Sequence, residues 1–356
     1  MSKDRTGNFF EDFNVGMQLR HPTPRTLTEG DRSLYIGLTG SRDALSSAST
    51  NALRAGLSER PLESLLVFNV AFGKTVPDVS LNAVANLGYA DLRFVAPVFS
   101  GDTLSVTSEV IGLRENSNGK TGVVYTRSVA VNQMGEEVLT WIRWVMVHKR
   151  NQNQLSGIDV VPSFPAVASV AALRPPGYSM EISSIGETTG SRDYWEDYAV
   201  GERINHFSAM TINDSDHSIA TRLYQNTAKA HFDGHIMQMS AHGRRLVYGG
   251  HVMSVCKALA YDGLENALTI LAINGGSHVS PTYAGDTLMC ATTVLERIDL
   301  QAPNIGALRL RMIGVKNVQD PLEIAFPPTG DKKPTYASNV VLDLDYTIAM
   351  PKSHYN

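Results

Sequence analysis

The chain contains the same sequence pattern twice, and this internal repeat limits its possible folds more than any other feature. An aromatic and acidic segment at residues 9–16, FFEDFNVG, returns at residues 194–201 as YWEDYAVG. A second segment at residues 97–104, PVFSGDTL, returns at residues 281–288 as PTYAGDTL. The spacing is nearly constant, because 194 minus 9 gives 185 and 281 minus 97 gives 184. The repeat predicts two copies of one domain.

The repeat divides the 356 residues into two domains joined by a linker. We expect a first domain at residues 1–150 and a second at residues 191–356, each of ordinary domain size. Residues 151–190 are rich in Ser, Pro, Ala and Val and break the periodicity on both sides, which is typical of a connecting segment. The second copy also carries extra residues at 317–336, which we expect to form an exposed loop.

Hydrophobic periodicity predicts the same order of elements in each copy. A polar helical region at residues 29–38 or 214–224 precedes a strongly apolar helix at residues 63–72 or 252–260. The apolar helix has too few polar positions for a face in water, so it must be buried. Later residues alternate between apolar and polar, as at 308–312, which predicts antiparallel strands with one face in water. A buried helix covered by such a sheet is an α+β arrangement.

Composition and charge exclude several classes of partner. The chain is 43% hydrophobic and 19% charged, as expected for a globular protein with a sizeable core. The net charge is -4 and the basic residues are dispersed, so we expect no nucleic-acid partner. The N-terminus does not resemble a secretory signal and no apolar stretch approaches the roughly 20 residues that span a bilayer, so we expect no membrane partner. Cys256 and Cys290 lie in apolar surroundings, which argues against a structural disulfide and favours a reducing cytoplasm.

The two copies differ in one polar segment. At the offset of 185 residues, the positions of Ser41 and Ser46 correspond to those of Asn226 and His231. Only the second copy has an imidazole there, and imidazole is the side chain best suited to proton transfer near neutral pH. We therefore expect one working site per chain, in the second half, with the first half shaping the substrate cavity.

The segment around His231 resembles the signature of a known family. The last three residues of the segment 226–233, NTAKAHFD, match the end of the pattern Asp-x-Asn-Pro-x-His-x-Asp of the MaoC-like, or hydratase 2, family. The two repeated segments also resemble that family in both copies. The resemblance implies a tandem, or double, hot-dog fold, in which each copy wraps an antiparallel sheet around a long buried helix. It also implies reversible hydration of an α,β-unsaturated acyl-CoA thioester, for which we expect no cofactor.

The chain departs from the family pattern at three positions, where Asn226, Ala228 and Lys229 replace the family's Asp, Asn and Pro. In the family, the Asp and the His together hold the water. The tandem arrangement and residues 247–252, VYGGHV, most resemble members that act on an unsaturated dicarboxylic acyl-CoA. The free carboxylate of such a substrate would repel a second carboxylate in a cavity of low dielectric constant, and an amide removes that repulsion. We hypothesise that His231 is the principal acid-base group and that Asn226 is a neutral orienting group.

The start of the second apolar helix supplies further predicted groups. Gly249 and Gly250 precede it, where backbone NH groups lack partners in the helix and the helix dipole favours negative charge. Family members use a glycine NH at this place to hold the thioester oxygen, and Gly249 resembles the matching position. Arg244 and Arg245 could bind a CoA phosphate or the substrate carboxylate, or could be ordinary surface residues.

Two more candidate substrate-binding residues have a second interpretation. Asp233 matches the residue two beyond the family histidine, but a capping role is an equal alternative. His251, together with His231, His235 and His242, suggests a metal site. No carboxylate or cysteine completes a ligand set, so we expect no metal and interpret His251 as a substrate-facing or satisfied histidine.

Two other functions remain open from the sequence. One is an (R)-specific enoyl-CoA hydratase for simple acyl chains, and the other is a hot-dog protein that binds acyl-CoA without catalysis, because the family Asp is Asn226 here. Arginines around a short pocket would favour a dicarboxylic substrate, whereas a long apolar tunnel would favour fatty chains. A homodimer is implied by the family resemblance alone.

Overall fold

One antiparallel sheet passes through both halves of the chain. It is seen in a computed structural model that describes residues 6–152, 156–327 and 334–353. The strands are Gln18–Thr26 (β1), Ala83–Phe94 (β2), Thr103–Glu115 (β3), Thr121–Val131 (β4), Glu137–His148 (β5), Asp159–Val160 (β6), Arg203–Thr211 (β7), Thr269–His278 (β8), Thr287–Ile298 (β9), Ile305–Lys316 (β10) and Val340–Pro351 (β11). Their order in the sheet is β1-β3-β4-β5-β2-β8-β11-β10-β9-β7, and the short β6 pairs with β3.

The two halves meet where β2 pairs with β8 at the centre of the sheet. The register matches Tyr89 with Gly276 and Arg93 with Ala272. Reading outward from this junction, the strands of each half follow in the same order, as two copies of one fold require. Each half also holds one long apolar helix against the sheet, so the predicted α+β class and tandem hot-dog arrangement are confirmed.

Most of the helices lie, in chain order, between the first two strands of each half. They are Glu29–Thr39 (α1), Ala44–Ser47 (α2), Ser49–Arg54 (α3), Ser64–Thr75 (α4), Gly186–Thr189 (α5), Asp214–Leu223 (α6), Lys229–Phe232 (α7), Gly234–Gln238 (α8) and Gly249–Leu259 (α9). The two apolar helices, α4 and α9, contribute to one continuous hydrophobic core. In the described ranges, no helix is both long enough and apolar enough to cross a bilayer.

Local sequence explains where the helices begin. The polar helices α1 and α6 start at capping boxes, formed by Thr28 with Asp31 and by Asn213 with Asp216. The apolar helices are longer than predicted at one end. Helix α4 continues past residue 72 into a π-helical turn at Val76–Ser80, and α9 already begins at Gly249 because burial overrides the low helix propensity of glycine.

The prediction that the strands leave one face in water is wrong for the second half. In β10 every residue is buried except Arg309 and Lys316, which are partly exposed. The outer face is covered by the linker, whose Leu173 and Ile182 pack with Ala307 of β10. Alternation along a strand shows which residues share a face, but it does not show what distant segments cover that face.

The prediction that residues 317–336 form an exposed loop holds for only part of the described residues, since Leu322 is exposed while other side chains there are buried. Ile324 is buried and packs with Ile313 and Val315 on the outer face of β10. The Tyr336 hydroxyl donates to the Asp343 carboxylate at 2.8 Å. The insertion therefore acts as a cover for the sheet, while residues 328–333 lie outside the described ranges.

Candidate active site

A cavity of about 480 Å³ lies between the two halves of the chain. The first half lines it with the π-helical turn at Val76–Ser80 and with residues of β2 and β5. The second half lines it with residues between 226 and 231, residues 246–249 and residues 278–282. The volume falls in the range of about 300–1,000 Å³ that small-molecule sites occupy.

The segment that carries His231 is held by a tight turn after α6. Gln225 adopts a left-handed conformation with φ 52°, which ends the helix and redirects the chain. Asn226 follows, and its side-chain oxygen accepts the Ala228 NH at 3.1 Å. The short helix α7 then places His231 in the cavity wall.

The contacts of His231 fix its ring as a base. Its Nδ1 lies 3.0 Å from the Leu246 carbonyl; because a carbonyl can only accept, Nδ1 carries the proton and Nε2 keeps its lone pair. Burial lowers the pKa of His231 to about 4, against the opposing effect of the bond to Leu246, and the neighbouring His217 lowers it further. The ring is therefore neutral near pH 7, and its Nε2 can take a proton from a bound molecule.

Asn226 lies in the same wall and is almost fully buried. Since the Ala228 NH uses its side-chain oxygen, its NH₂ group remains to bind water or substrate. The wall thus offers a neutral base, His231, and a neutral donor, Asn226. The family pattern has a carboxylate at the position of Asn226.

The start of α9 presents backbone NH groups to this cavity. Tyr248 precedes the helix, and its side chain does not cap the helix end. The first NH groups with helical acceptors are those of His251 and Val252, both bonded to the Tyr248 carbonyl. The NH groups of Gly249 and Gly250 precede them, and a helix start of this kind suits an oxygen that gains negative charge. Gly249 lines the cavity, whereas Gly250 does not.

Close packing explains why both positions are glycine. A Cβ at Gly249 would lie 2.6 Å from the ring of His278, and a Cβ at Gly250 would lie 2.0 Å from the side-chain oxygen of Asn69 in α4. Neither contact is possible without displacement, so only glycine fits here. Gly249 lets a ligand approach the backbone, while Gly250 lets α9 pack closely against α4.

His278 and Tyr89 are cavity residues that sequence analysis missed. The His278 Nε2 lies 3.1 Å from the Tyr89 hydroxyl. Burial lowers the pKa of His278 to about 4, and the nearby His231 lowers it further. No local sequence signal joins these residues, because only the pairing of β2 with β8 brings them together.

Arg143 on β5 is a third missed residue. It is fully buried, it lines the cavity, and its guanidinium carbon lies 4.3 Å from the ring centroid of Phe72. A signal was present in the sequence, since Arg143 interrupts the apolar run of residues 138–147.

Three predicted substrate-binding residues lie outside the cavity lining. Asp233 starts α8 and accepts a backbone NH at 3.0 Å, which is the capping alternative. Arg245 forms an ion pair with Asp214 at 2.8 Å. Arg244 is exposed, and its guanidinium lies 4.1 Å from the ring centroid of Tyr283. The structure does not bring these three side chains together with His231 in the cavity.

His251 also lies outside the cavity lining and is fully buried in the core. Its Nδ1 is 3.5 Å from the Tyr224 hydroxyl, and burial lowers its pKa to about 4. Its surroundings are those of a core histidine. Within the described part of the chain, no group of three or more His, Cys, Asp or Glu side chains is arranged to hold a metal ion.

Comparisons with known proteins indicate one family. The model of the mesaconyl-CoA hydratase family matches residues 2–165. The chain is 49% identical to β-methylmalyl-CoA dehydratase of Chloroflexus aurantiacus, with 99% of each protein covered. It is 45% identical to mesaconyl-CoA hydratase of Cereibacter sphaeroides, with 98% of this chain and 100% of that protein covered.

Solved structures share the fold. A MaoC domain protein dehydratase from Chloroflexus aurantiacus superimposes with a TM-score of 0.92 at 48% identity, covering 99% of each chain. A Mycobacterium tuberculosis protein with a double hotdog fold gives a TM-score of 0.79 at 23% identity, covering 97% of this chain and 99% of that one, which supports the fold alone. The resemblance to MaoC-like proteins that the sequence motifs predicted is confirmed.

Proposed function

The chain belongs to the mesaconyl-CoA hydratase family, and we propose that it catalyses the reversible addition of water to mesaconyl-CoA, forming β-methylmalyl-CoA. This is a hydro-lyase reaction. One observation carries the proposal: a neutral His231 and the backbone NH at the start of α9 face a single cavity between the two halves.

The reaction sets three chemical requirements. Water needs a base, the α-carbon of the thioester needs a proton, and the thioester oxygen needs donors while it carries the charge of an enolate. The groups around the cavity supply each of them.

His231 acts first as the base. Its Nε2 takes a proton from water while the water oxygen bonds to the carbon that carries the free carboxylate. The electron pair of the double bond moves toward the thioester, and the carbonyl oxygen gains negative charge. The bond from Nδ1 to the Leu246 carbonyl makes Nε2 the nitrogen that accepts the proton in this step.

Gly249 holds the developing oxyanion. Its NH precedes the hydrogen-bonded part of α9, and its lack of a side chain lets the thioester oxygen approach. Gly250 stands behind it and fixes the helix start against α4, where the Asn69 side-chain NH₂ donates to the Gly250 carbonyl at 3.2 Å.

His231 then acts as the acid. The imidazolium that formed in the first step gives its proton to the methyl-bearing α-carbon, and the enolate collapses to the thioester. Because the pKa of His231 is lowered to about 4, the imidazolium is a strong acid and releases the proton readily. The dehydration direction uses the same groups in reverse.

Asn226 orients the water without adding a charge. Its NH₂ group can donate to the water or to the substrate carboxylate, and a neutral side chain avoids repulsion with that carboxylate.

A turnover assay tests this function. Purified protein is incubated with mesaconyl-CoA, crotonyl-CoA and longer enoyl-CoA thioesters, and the products are analysed by mass for the gain of one water. We expect mesaconyl-CoA to be the preferred substrate. Preference for simple acyl chains would identify an (R)-specific enoyl-CoA hydratase instead, and binding without turnover would identify a non-catalytic acyl-CoA-binding protein.

A matched pair of variants ties the activity to the cavity. His231→Ala removes the base, whereas His235→Ala changes an exposed histidine four residues away that does not line the cavity. We expect the first variant to lose turnover and the second to keep it. Near-normal turnover by His231→Ala would overturn the assignment of the base.

The family resemblance also suggests a homodimer in the cytoplasm, and we include both in the proposal. Light scattering after gel filtration tests the first, since a dimer has twice the mass of the chain. Cell fractionation tests the second.

A further inference from the structure

Arg143 carries a buried charge that no carboxylate of the described chain balances. It is 0% exposed, and its Nη2 donates to the Ser80 hydroxyl at 3.3 Å. Its Nε and Nη1 have no hydrogen-bond partner. Arg143 lines the cavity, so its unused donors lie in the wall beside the space that a ligand would fill.

Other buried arginines of the described ranges show how unusual this is. Arg32 pairs with Glu29 at 3.1 Å, and Arg311 pairs with Asp343 at 2.7 Å. Arg143 is the buried arginine without such a partner. Burial lowers the pKa of Arg143 to about 10, so it is still charged near pH 7. A buried charge without a counter-charge destabilises the fold, and an anion in the cavity would relieve that cost.

A chain of aromatic contacts connects Arg143 with His231. Its guanidinium lies 4.3 Å from the Phe72 ring centroid, the Phe72 ring is 5.9 Å from that of Tyr248, and the Tyr248 ring is 5.5 Å from that of His231. Arg143 and His231 thus both line one cavity, and the rings of Phe72 and Tyr248 connect them.

Two other side chains of the cavity lack polar partners. Both polar atoms of the Asn86 amide and the Tyr248 hydroxyl are buried and unpaired. A carboxylate accepts several hydrogen bonds, and a guanidinium binds it with two parallel donors. The unsatisfied donors of the cavity lining therefore match the chemistry of a carboxylate.

We propose that Arg143 binds the free carboxylate of the acyl group and selects dicarboxylic acyl-CoA thioesters over simple acyl chains. This inference rests on the proposed function and adds a specificity residue to it, contributed by the first half of the chain. The carboxylate lies on the carbon that water attacks, so its anchoring positions that carbon beside His231.

The test compares two substrates and four variants. Arg143→Met keeps much of the side-chain volume and removes the charge. We expect kcat/KM for mesaconyl-CoA to fall roughly 30-fold or more, as loss of one partner of a buried charge pair implies. Crotonyl-CoA lacks the carboxylate, so its kcat/KM should change by no more than about threefold.

Two control variants separate this effect from general damage. Arg127→Met alters an exposed arginine on the neighbouring strand β4 and should leave both substrates unaffected. Lys229→Met alters an exposed cation of the cavity lining and should affect both substrates equally. Arg143→Lys restores charge without the two-pronged geometry and should recover only part of the preference.

Equal losses on both substrates in Arg143→Met, with an unchanged melting temperature, would overturn the role of Arg143. The proposed function is tested separately, because wild-type protein that does not hydrate mesaconyl-CoA would fail before any variant is made.

If Arg143→Met does not fold, inhibition of the wild-type protein gives the answer. Succinyl-CoA and butyryl-CoA are unreactive analogues that differ in the terminal carboxylate. We expect succinyl-CoA to inhibit at least about tenfold more strongly, since the anchored carboxylate adds roughly that much affinity. Equal inhibition would contradict the proposal.

Discussion

The start of α9 and the start of α4 are equivalent places in the two halves, yet only one opens into a cavity of useful size. Gly249 begins α9 beside a cavity of about 480 Å³. Ser64 begins α4, and 249 minus 64 again gives 185, but the cavity beside it holds only about 40 Å³. The same fold therefore presents a site in one copy and closes it in the other.

The linker explains the difference. Arg174, Pro176 and Tyr178 line the small cavity, and Tyr178 is buried. Ser41 and Ser46 stand in the first half at the offset of Asn226 and His231, so the closed copy also lacks an imidazole.

The first half has taken a different role. Its strands β2 and β5 supply the wall that faces His231, including Tyr89 and Arg143. If the proposed function is correct, one copy keeps the acid-base chemistry after duplication, while the other is free to change the shape and charge of the opposite wall.

Replacing the base should give the largest difference in activity between equivalent substitutions in the two halves. His231→Ala removes proton transfer and should lower kcat by about 10²- to 10⁴-fold. Ser46→Ala, at the equivalent place in the first half, should change kcat by less than about twofold because Ser46 borders no cavity that holds substrate. Initial rates with mesaconyl-CoA measure both, and comparable losses would mean that the first half also takes part in the chemistry.

Replacing the glycine at the helix start should have the next largest effect. In Gly249→Ala the new Cβ would lie 2.6 Å from the His278 ring, which must move. We expect kcat/KM to fall about 10- to 100-fold, less than the loss of an entire oxyanion donor. Ser64→Ala is the matched control in the first half and should be nearly silent. Steady-state kinetics of the two variants measure this difference. Unchanged kcat/KM in Gly249→Ala would contradict the role of the Gly249 NH as an oxyanion donor.

The sequence contained enough information for the fold and for the second-half wall. The repeat predicted the symmetric strand order, and the family motif led to His231, Asn226 and Gly249, which all line the cavity. These residues are encoded locally, within a turn and a helix start, and local chemistry can be read from neighbouring residues.

The first-half wall could not be predicted in the same way. Tyr89 approaches His278 only because β2 pairs with β8. Residue spacing within one copy cannot predict a strand pairing between the two copies. The charge of Arg244 and Arg245 predicts that they bind an anion, but Arg244 contacts the ring of Tyr283 and Arg245 forms an ion pair with Asp214. Charge alone does not show whether a side chain already has a partner.

Restoring the family carboxylate should have an intermediate effect that depends on the substrate. In Asn226→Asp, a new negative charge would face the substrate carboxylate across the cavity. We expect kcat/KM for mesaconyl-CoA to fall about tenfold more than that for crotonyl-CoA, since repulsion between charges a few ångströms apart amounts to about 1–4 kcal/mol. Parallel measurement of both substrates is the test. An equal effect on both would give Asn226 a different role.

Changing the pH near neutrality should have the smallest effect of all on kcat/KM. His231 loses a proton at a pKa of about 4, so the base form persists as pH falls from 7 to 5 and disappears as pH passes through about 4. Burial raises the pKa of Glu63 in the first half to about 8, but Glu63 does not line the large cavity. We therefore expect kcat/KM to be flat from pH 6 to 8, and Glu63→Gln to leave this profile unchanged. An inflection near pH 8 that disappears in Glu63→Gln would link the first half to turnover.

The pairing of β2 with β8 limits how molecules can enter and leave. The two halves of the chain share one hydrogen-bonded sheet, so they cannot swing apart as rigid bodies without breaking that central ladder. Exchange with solvent must instead pass the rim, where Lys229 and His242 are exposed. Side-chain and loop motions at this rim, which are generally faster than domain motions, are therefore the movements that the fold leaves free for exchange.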